Sequence, residues 1–291
     1  MSLRSFATPG LILATAAVLG SAHAASLSPS GYSQGFDNLS VSGSTATLAD
    51  GWKAYDGDAS GTTSHSTWLS SGLGGTGIAA NGSDSVATLK QTTSGLTVNN
   101  SPTGTSAVGI YAVNPFGSGT DHVLVSSPTG VDGFAWQLTL TNNTGASLSS
   151  VNVSYDVDRL TVTNTSNQSS FPTVTVGEEL PGLELFYSTN GNVWANAGSF
   201  SVTDPSYATT KGVSTFSGTV NLGNAVATGG SLFLRWVDDN GEVSSPDQLL
   251  GLNNVNVAPV PLPAGLPLQL SALGGLGLLG RRSRQLGAAA A

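Results

Sequence analysis

The central part of the chain alternates hydrophobic and polar residues with the period of two that is typical of β-strands. Between residues 134 and 141 the sequence FAWQLTLT places its large apolar side chains on one side of an extended chain. Residues 151–157 repeat the pattern, with valine and tyrosine on one side and Asn152, Ser154 and Asp156 on the other. Both segments therefore predict strands with one face in a hydrophobic core.

Turn signals separate further strand-like segments. Asn190-Gly191 lies between LELFYS and Val193-Trp194, and Asn-Gly between two apolar runs predicts a hairpin with a type I′ turn. Residues 219–222, 231–237 and 249–257 continue the alternation. Since no stretch of the body keeps a helical period, we predict an all-β fold, a two-sheet antiparallel β-sandwich of jelly-roll type.

The N-terminal end has the three parts of a secretory signal peptide. Arg4 supplies a positive charge, residues 11–19 form an apolar stretch, and Ala22-His23-Ala24 offers small residues for cleavage. The apolar stretch is shorter than the about 20 residues that a membrane-spanning helix needs. We predict a signal peptide at residues 1–24, removed by signal peptidase. An uncleaved N-terminal helix is the alternative.

The C-terminal end combines a short motif, an apolar segment and a basic cluster. The motif VPLPA precedes the uncharged residues 265–280, which reach membrane-spanning length only when extended back to Leu262. The arginines that follow would stay in the cytoplasm. This segment, residues 260–291, has its defining residues at Val260, Pro261, Leu262, Pro263, Ala264, Arg281, Arg282 and Arg284.

These C-terminal features resemble the PEP-CTERM class of bacterial sorting signals, in its VPLPA-CTERM variant. The resemblance implies export, transient anchoring in the cytoplasmic membrane through a C-terminal hydrophobic helix, and processing by an exosortase-type enzyme. Such proteins occur in bacteria that make exopolysaccharide, so the resemblance implies a destination at the cell surface or in the extracellular matrix. A permanent membrane anchor is the alternative.

The body between the two ends, residues 25–259, resembles a jelly-roll domain that recurs in PEP-CTERM proteins. The resemblance rests on Gly35-Phe36-Asp37, on the hairpin FYSTNGNVW and on the closing strand LLGLNNVNV. It implies sugar binding and a structural calcium ion. The family usually has two aspartates where this chain has Asn253 and Asn254, and neutral amides bind calcium more weakly. Residues 59–102, rich in Gly, Ser and Thr, predict long loops.

Composition removes several functional classes. The chain has no cysteine, which excludes disulfides, thiolate metal sites and a cysteine nucleophile. Its formal net charge is −8, and residues 25–259 keep five bases and all 17 acids, a charge of −12. A domain this acidic does not bind nucleic acid through phosphate contacts, and it repels anionic polymers at long range.

No catalytic constellation stands out. The body has two histidines, His65 and His122, neither of them in an H-E-x-x-H motif, and it lacks the G-x-S-x-G and phosphate-binding glycine motifs. Its acids are scattered, so no pair identifies itself as glycosidase machinery. We predict a non-catalytic exported protein associated with exopolysaccharide. A structural or adhesive protein with exposed strand edges, or less favourably a secreted polysaccharide hydrolase, is the alternative.

Three tryptophans are the predicted sugar platforms, because a flat indole ring can stack on a pyranose. Trp52 and Trp68 lie in segments rich in Gly and Ser, and Trp194 follows the hairpin turn. Trp136 and Trp236 lie in alternating segments and are predicted in the core instead.

One short acidic segment is the predicted calcium site. Asp238, Asp239 and Glu242 lie within five residues, and calcium takes six to eight oxygen ligands, which such a loop can contribute. Solvated turn residues are the alternative.

Overall fold

The computed structural model describes residues 23–37, 39–42, 45–56, 86, 90–91, 96–99, 109–113, 121–127, 134–160, 183–197, 200, 211–238 and 249–260. Every regular element among them is a β-strand, so none of the described residues belongs to a helix that could cross a membrane. The strands are β1 (Ala25–Leu27), β2 (Tyr32–Gln34), β3 (Ser40–Ser42), β4 (Thr45–Thr47), β5 (Trp52–Asp56), β6 (Lys90–Gln91), β7 (Leu96–Asn99), β8 (Gly109–Val113), β9 (Val123–Ser127), β10 (Phe134–Asn142), β11 (Leu148–Arg159), β12 (Glu184–Ser188), β13 (Ala195–Asn196), β14 (Gly212–Val226), β15 (Ser231–Asp238) and β16 (Leu250–Pro259).

These strands form two sheets. The seven-stranded sheet has the order β13-β12-β15-β10-β5-β6, with β1 parallel to β10. The nine-stranded sheet has the order β14-β11-β16-β9-β8-β7-β4-β3, with β2 paired to β16. Apart from β1–β10 and β7–β8, the described pairs are antiparallel. The predicted all-β fold with antiparallel sheets is confirmed.

The two sheets share one hydrophobic core between them. The Trp236 ring of β15 meets the Tyr155 ring of β11 edge-on at 5.7 Å, and it stacks on Trp52 at 5.4 Å. Hydrogen bonds also cross the gap, since the indole Nε1 of Trp52 donates to the Tyr32 hydroxyl at 2.6 Å. The inward side chains of β10 and β11 are buried as the alternation predicts.

The hairpin between β12 and β13 is confirmed, but the predicted turn type is wrong. Only Gly191 has positive φ, 77°, whereas a type I′ turn needs it at Asn190 as well. The loop is longer because Tyr187 pairs with Ala195. The Asn190 side chain closes it by accepting hydrogen bonds from the backbone N–H groups of Asn192 and Val193, both at 2.9 Å.

The sequence boundaries differ from the structure at two further places. The strand predicted at residues 219–222 is the middle part of a much longer strand, β14, which extends from Gly212 to Val226. Within the segment 59–102, predicted as loops, the structure has the short strands β6 and β7. Residues 1–22 and 261–291, with the signal peptide and most of the sorting segment, lie outside the described residues.

Candidate functional site

Trp52 lies in the core and not on a binding surface. Its side chain is 1% exposed, with Trp236 stacked on one side and Phe36 edge-on at 4.9 Å. Its one polar atom is already bonded to the hydroxyl of Tyr32. The prediction that Trp52 is a sugar platform is therefore wrong in this conformation, because protein atoms cover the ring faces that a sugar would need.

Trp194 is covered as well, on the outward side of the seven-stranded sheet. Its side chain is 2% exposed and packs with Phe186, Val237 and the edge of Phe233. The Arg235 guanidinium lies over its ring, 4.3 Å from the centroid. Trp194 thus has no free face for a sugar. Trp68 lies outside the described residues and remains a prediction.

The side chain of Arg235 organises this covered surface, which we call the arginine face. Its guanidinium lies 3.9 Å from the centre of the Tyr55 ring as well as over Trp194. Its Nε donates to the Gln137 side chain at 2.8 Å, and its Nη1 donates to the backbone carbonyl of Val86. Burial lowers the pKa of Arg235 to about 10. The arginine face consists of Tyr55, Val86, Ala135, Gln137, Phe186, Trp194, Phe233, Arg235 and Val237.

Asp238 lies between the two sheets. Its carboxylate is 2% exposed and accepts a hydrogen bond from the hydroxyl of Ser126 on β9. Burial raises the pKa of Asp238 to about 7, although the hydrogen bond from Ser126 lowers this pKa in part. The carboxylate of Asp238 is thus directed between the sheets, and one of its oxygens is already bonded to Ser126. Asp239 and Glu242 lie outside the described residues, so a calcium site at this segment stays a prediction.

Carboxylates also meet where the start of the body contacts the closing strand β16. Asp121 forms a side-chain hydrogen bond with Asp37, and its pKa is raised by burial and then by that neighbour. Burial raises the pKa of Asp158 to about 6, helped by Asp156 and Asp121 and opposed by Asn253. A cation would reduce this repulsion, but no three His, Asp or Glu side chains of the described residues converge as a metal site.

The outward side of β14, β11 and β16 is an exposed surface, which we call the polar face. Opposite residues pair across it, with Asn152 beside Thr219 and Ser154 beside both Ser217 and Asn256. The polar face consists of Asn152, Ser154, Asp156, Thr215, Ser217, Thr219, Asn254 and Asn256. Of these eight residues only Asp156 is charged, and the rest carry hydroxyls and amides; Asp158 follows on the same side of β11, towards the end of that strand.

Hydrogen bonds fix several of these side chains in place. The Thr219 hydroxyl donates to Asn152 Oδ1 at 2.7 Å, and the Thr215 hydroxyl donates to Asp156 Oδ1 at 2.6 Å. Asn254 donates from Nδ2 to the other oxygen of Asp156 at 2.8 Å. A register shift in β16 helps this contact, because the extra residue there leaves Asn254 with φ of 47°.

A shallow hollow of about 370 Å³ lies on the polar face. Its polar lining is neutral, and it comes from three neighbouring strands at paired positions. The lining residues are Asn152, Val153, Ser154, Ser217, Gly218, Thr219, Asn256 and Ala258.

The alternating sequence contained a signal for this surface. The alternation places Asn152, Ser154 and Asp156 on the outward side of a strand, which is confirmed, but it predicts no binding role for them. The pairing with Thr219 and Asn256 depends on contacts far apart in sequence, which the alternation of one strand does not reveal.

Comparisons with known proteins leave the chain without an assigned family. No protein-family profile and no curated protein matches it. Among solved structures it is similar to the mosquito-larvicidal Cry4Aa toxin from Bacillus thuringiensis, with 12% identity and a TM-score of 0.27 over 54% of this chain. The match spans 22% of the toxin chain, and a likeness at this level carries no argument about fold or function.

Proposed function

We propose that this protein is an exported, non-catalytic component of the bacterial cell surface or extracellular matrix. Its body is a jelly-roll-like β-sandwich that associates with exopolysaccharide. The sorting part of the proposal rests on the sequence alone, namely on residues 1–24 and on the VPLPA motif with its apolar segment and arginines. The binding part rests on the polar face, which takes the place of Trp52 and Trp194 as the expected sugar surface, and Trp68 stays a prediction.

The hollow on the polar face is the observation that supports sugar binding. Hydroxyl groups both donate and accept hydrogen bonds, and the amides of Asn152 and Asn256 offer one acceptor and one donor group each. Such groups complement sugar hydroxyls without a charge on either partner. The hydrogen bond between Thr219 and Asn152 holds its members in position before a ligand binds, which reduces the entropy lost on binding.

The charge of the domain narrows the class of polymer. Residues 25–259 carry a formal charge of −12, which repels uronic-acid or phosphate-bearing polymers at long range. A neutral hollow within such a domain favours a polysaccharide of neutral sugars. We therefore expect binding to a neutral exopolysaccharide with little dependence on salt concentration, since no ion pairs need to be screened.

Co-sedimentation of the full-length chain with neutral exopolysaccharide from the producing bacterium tests the binding part. Replacing Asn152 and Thr219 together by alanine removes groups on two strands of the hollow. Binding should weaken by about tenfold, which corresponds to about 1.4 kcal/mol of lost hydrogen bonding. Asn192→Ala, at an exposed position in the β12–β13 loop, is the matched control. Equal binding by the double variant and the control would contradict the polar-face site.

The intact mass of the mature protein from its native host tests the sorting part. A chain that starts at Ala25 and ends between Val260 and Ala264 supports export followed by processing. A C-terminus still at Ala291 in the membrane fraction would mean a permanent anchor and would overturn the exosortase assignment.

The structural or adhesive alternative also gains one specific observation. It rests on an exposed strand edge that could bind another protein, and β14, 15 residues long, pairs with β11 alone among the described strands. The two functions are compatible, because one uses the face of the nine-stranded sheet and the other uses its edge.

A further inference from the structure

Six of the described strands pair with a single neighbour, and they differ greatly in length. Five of them have only two or three residues, namely β1, β2, β3, β6 and β13. The sixth, β14, has 15 residues and, among the described strands, pairs with β11 alone. A free strand edge presents unpaired backbone N–H and C=O groups, and native proteins usually shorten, charge or cover such edges.

Short length, charge and proline, three of the usual protections, are missing from β14, and its one irregularity comes after Asn221. The segment GVSTFSGTVNLGNAV contains no charged residue and no proline. The outward side chains of β14 are also open to solvent, since Val213 is 61% exposed and Thr215, Ser217 and Thr219 are exposed. The domain around it is strongly acidic and two copies repel each other at long range, but a neutral edge lets them meet without placing like charges in direct contact.

One large inward side chain of β14 is incompletely covered. Phe216 stacks on Tyr155 at 5.3 Å between ring centroids, yet it remains half-buried. Val220, further along the same side, is 1% exposed. Another strand beside β14 would cover the exposed part of Phe216 and would add the burial of apolar surface to the backbone hydrogen bonds.

The straight part of β14 has a well-defined centre. Pairing with β11 continues without a register shift from Gly212 to Asn221, and the irregularity comes after Asn221. Ser217 lies in the middle of this segment, with its side chain outward. Opposite residues of an antiparallel pair point to the same side of the sheet. A two-fold axis between two β14 strands must therefore lie level with one residue, which then faces its own copy.

We propose that β14 pairs antiparallel with β14 of a second copy of this chain, around a two-fold axis at Ser217. Ser217 then faces its own copy, and Thr215 faces Thr219 of the partner. The two nine-stranded sheets become one continuous sheet, and both Phe216 rings become covered. A second copy fits this edge because the pairing needs no complementary charge and uses the same exposed segment twice.

Sedimentation of the full-length chain and two variants tests the pairing. Detergent keeps the apolar C-terminal segment from associating by itself. Ser217→Asp places two carboxylates opposite each other at the axis, whereas the neutral Ser217→Asn has a nearly equal shape. We expect wild type and Ser217→Asn to dimerise, and Ser217→Asp to dimerise at least about tenfold more weakly, because like charges directly opposite in a sheet destabilise it. Three monomers, or three equal dimers, would overturn the proposal.

Disulfide cross-linking provides a readout of register. The chain has no cysteine, so a single introduced thiol can pair only with its copy. Ser217→Cys should cross-link under mild oxidation, because directly opposite Cβ atoms lie about 4.5–5.5 Å apart. Asn256→Cys, equally exposed but two strands from the edge, is the matched control. Equal cross-linking at both positions would overturn the pairing, and neither outcome depends on whether the polar face binds polysaccharide.

Discussion

The outward faces of the two sheets differ in what lies on them. The arginine face carries aromatic rings, a buried guanidinium and the backbone of Val86, and its residues are largely removed from water. The polar face carries hydroxyls and amides that remain exposed and bond to one another. In this protein the aromatic side chains of the seven-stranded sheet stabilise the fold, whereas the groups suited to a hydrated partner lie on the outer face of the nine-stranded sheet.

The contrast predicts its largest effect at Trp194. Replacement by alanine should destabilise the protein by about 3–5 kcal/mol, the usual range for removing a buried tryptophan. Val193→Ala is the matched control. The Val193 side chain is next in sequence to Trp194 and 69% exposed, so its removal should change stability by less than about 0.5 kcal/mol. Urea unfolding of both variants measures the difference. A loss at Trp194 no larger than at Val193 would mean that the arginine face is open and that a sugar could reach it.

A smaller effect is expected at Arg235, where the shape of the cation matters more than its charge. Arg235→Lys keeps a positive charge but loses the planar group between Tyr55 and Trp194. It also loses bonds to Gln137 and Val86, so the free energy of unfolding should fall by about 2 kcal/mol.

Lys211→Arg, an exchange of the same two residue types at an exposed position, should leave unfolding by urea unchanged. If both exchanges have the same effect, the aromatic clamp does not stabilise the arginine face.

The sequence predicts the core between the sheets better than the two outward faces. The alternation around Trp136 and Tyr155 suffices to place both inward, because in a strand the period of two determines the face. It does not determine what covers the outward face. Trp194 is buried because Arg235, which is distant in sequence, lies over it, and no local pattern contains that contact.

Trp52 shows the same limit from the other direction. Its glycine-rich neighbourhood favoured a loop, but Trp52 begins β5, where Trp52 and Ala54 point inward and Lys53 and Tyr55 are less buried. A strand of five residues contains too few alternations to outweigh the composition around it. The start of β14 was missed for a related reason, since its first two large apolar residues, Val213 and Phe216, lie on opposite faces and show no alternation.

The pH dependence of stability distinguishes the acidic end of β11 from the neutral part of the polar face. The pKa of Asp158 is about 6 in the folded protein, above its ordinary value of 3.8, so the folded state holds this proton more tightly. Stability should therefore fall as pH rises from about 4 to about 6.

Asp158→Asn should remove this part of the dependence, on the order of 1 kcal/mol after allowance for solvent screening. Thermal unfolding at both ends of that range measures it. Asp238, whose raised pKa acts in the same direction, should leave a residual slope in the variant. Identical slopes for wild type and Asp158→Asn would mean that Asp158 is already ionised in the folded protein at the lower pH.

The smallest expected change in stability is at Thr219, and it tests whether the polar face serves recognition or packing. Thr219→Ala removes a hydroxyl from the polar face and leaves Asn152 Oδ1 open to water. Because water replaces the lost partner of an exposed group, the free energy of unfolding should change by no more than about 0.5 kcal/mol. Urea unfolding measures this change beside polysaccharide binding by the same variant. A loss of binding without a loss of stability separates a surface used for recognition from one used for packing. If Thr219→Ala lowered the free energy of unfolding by several kcal/mol, the hydrogen bonds of the polar face would hold β14 in place. Both faces would then stabilise the fold and would differ only in the groups that they use.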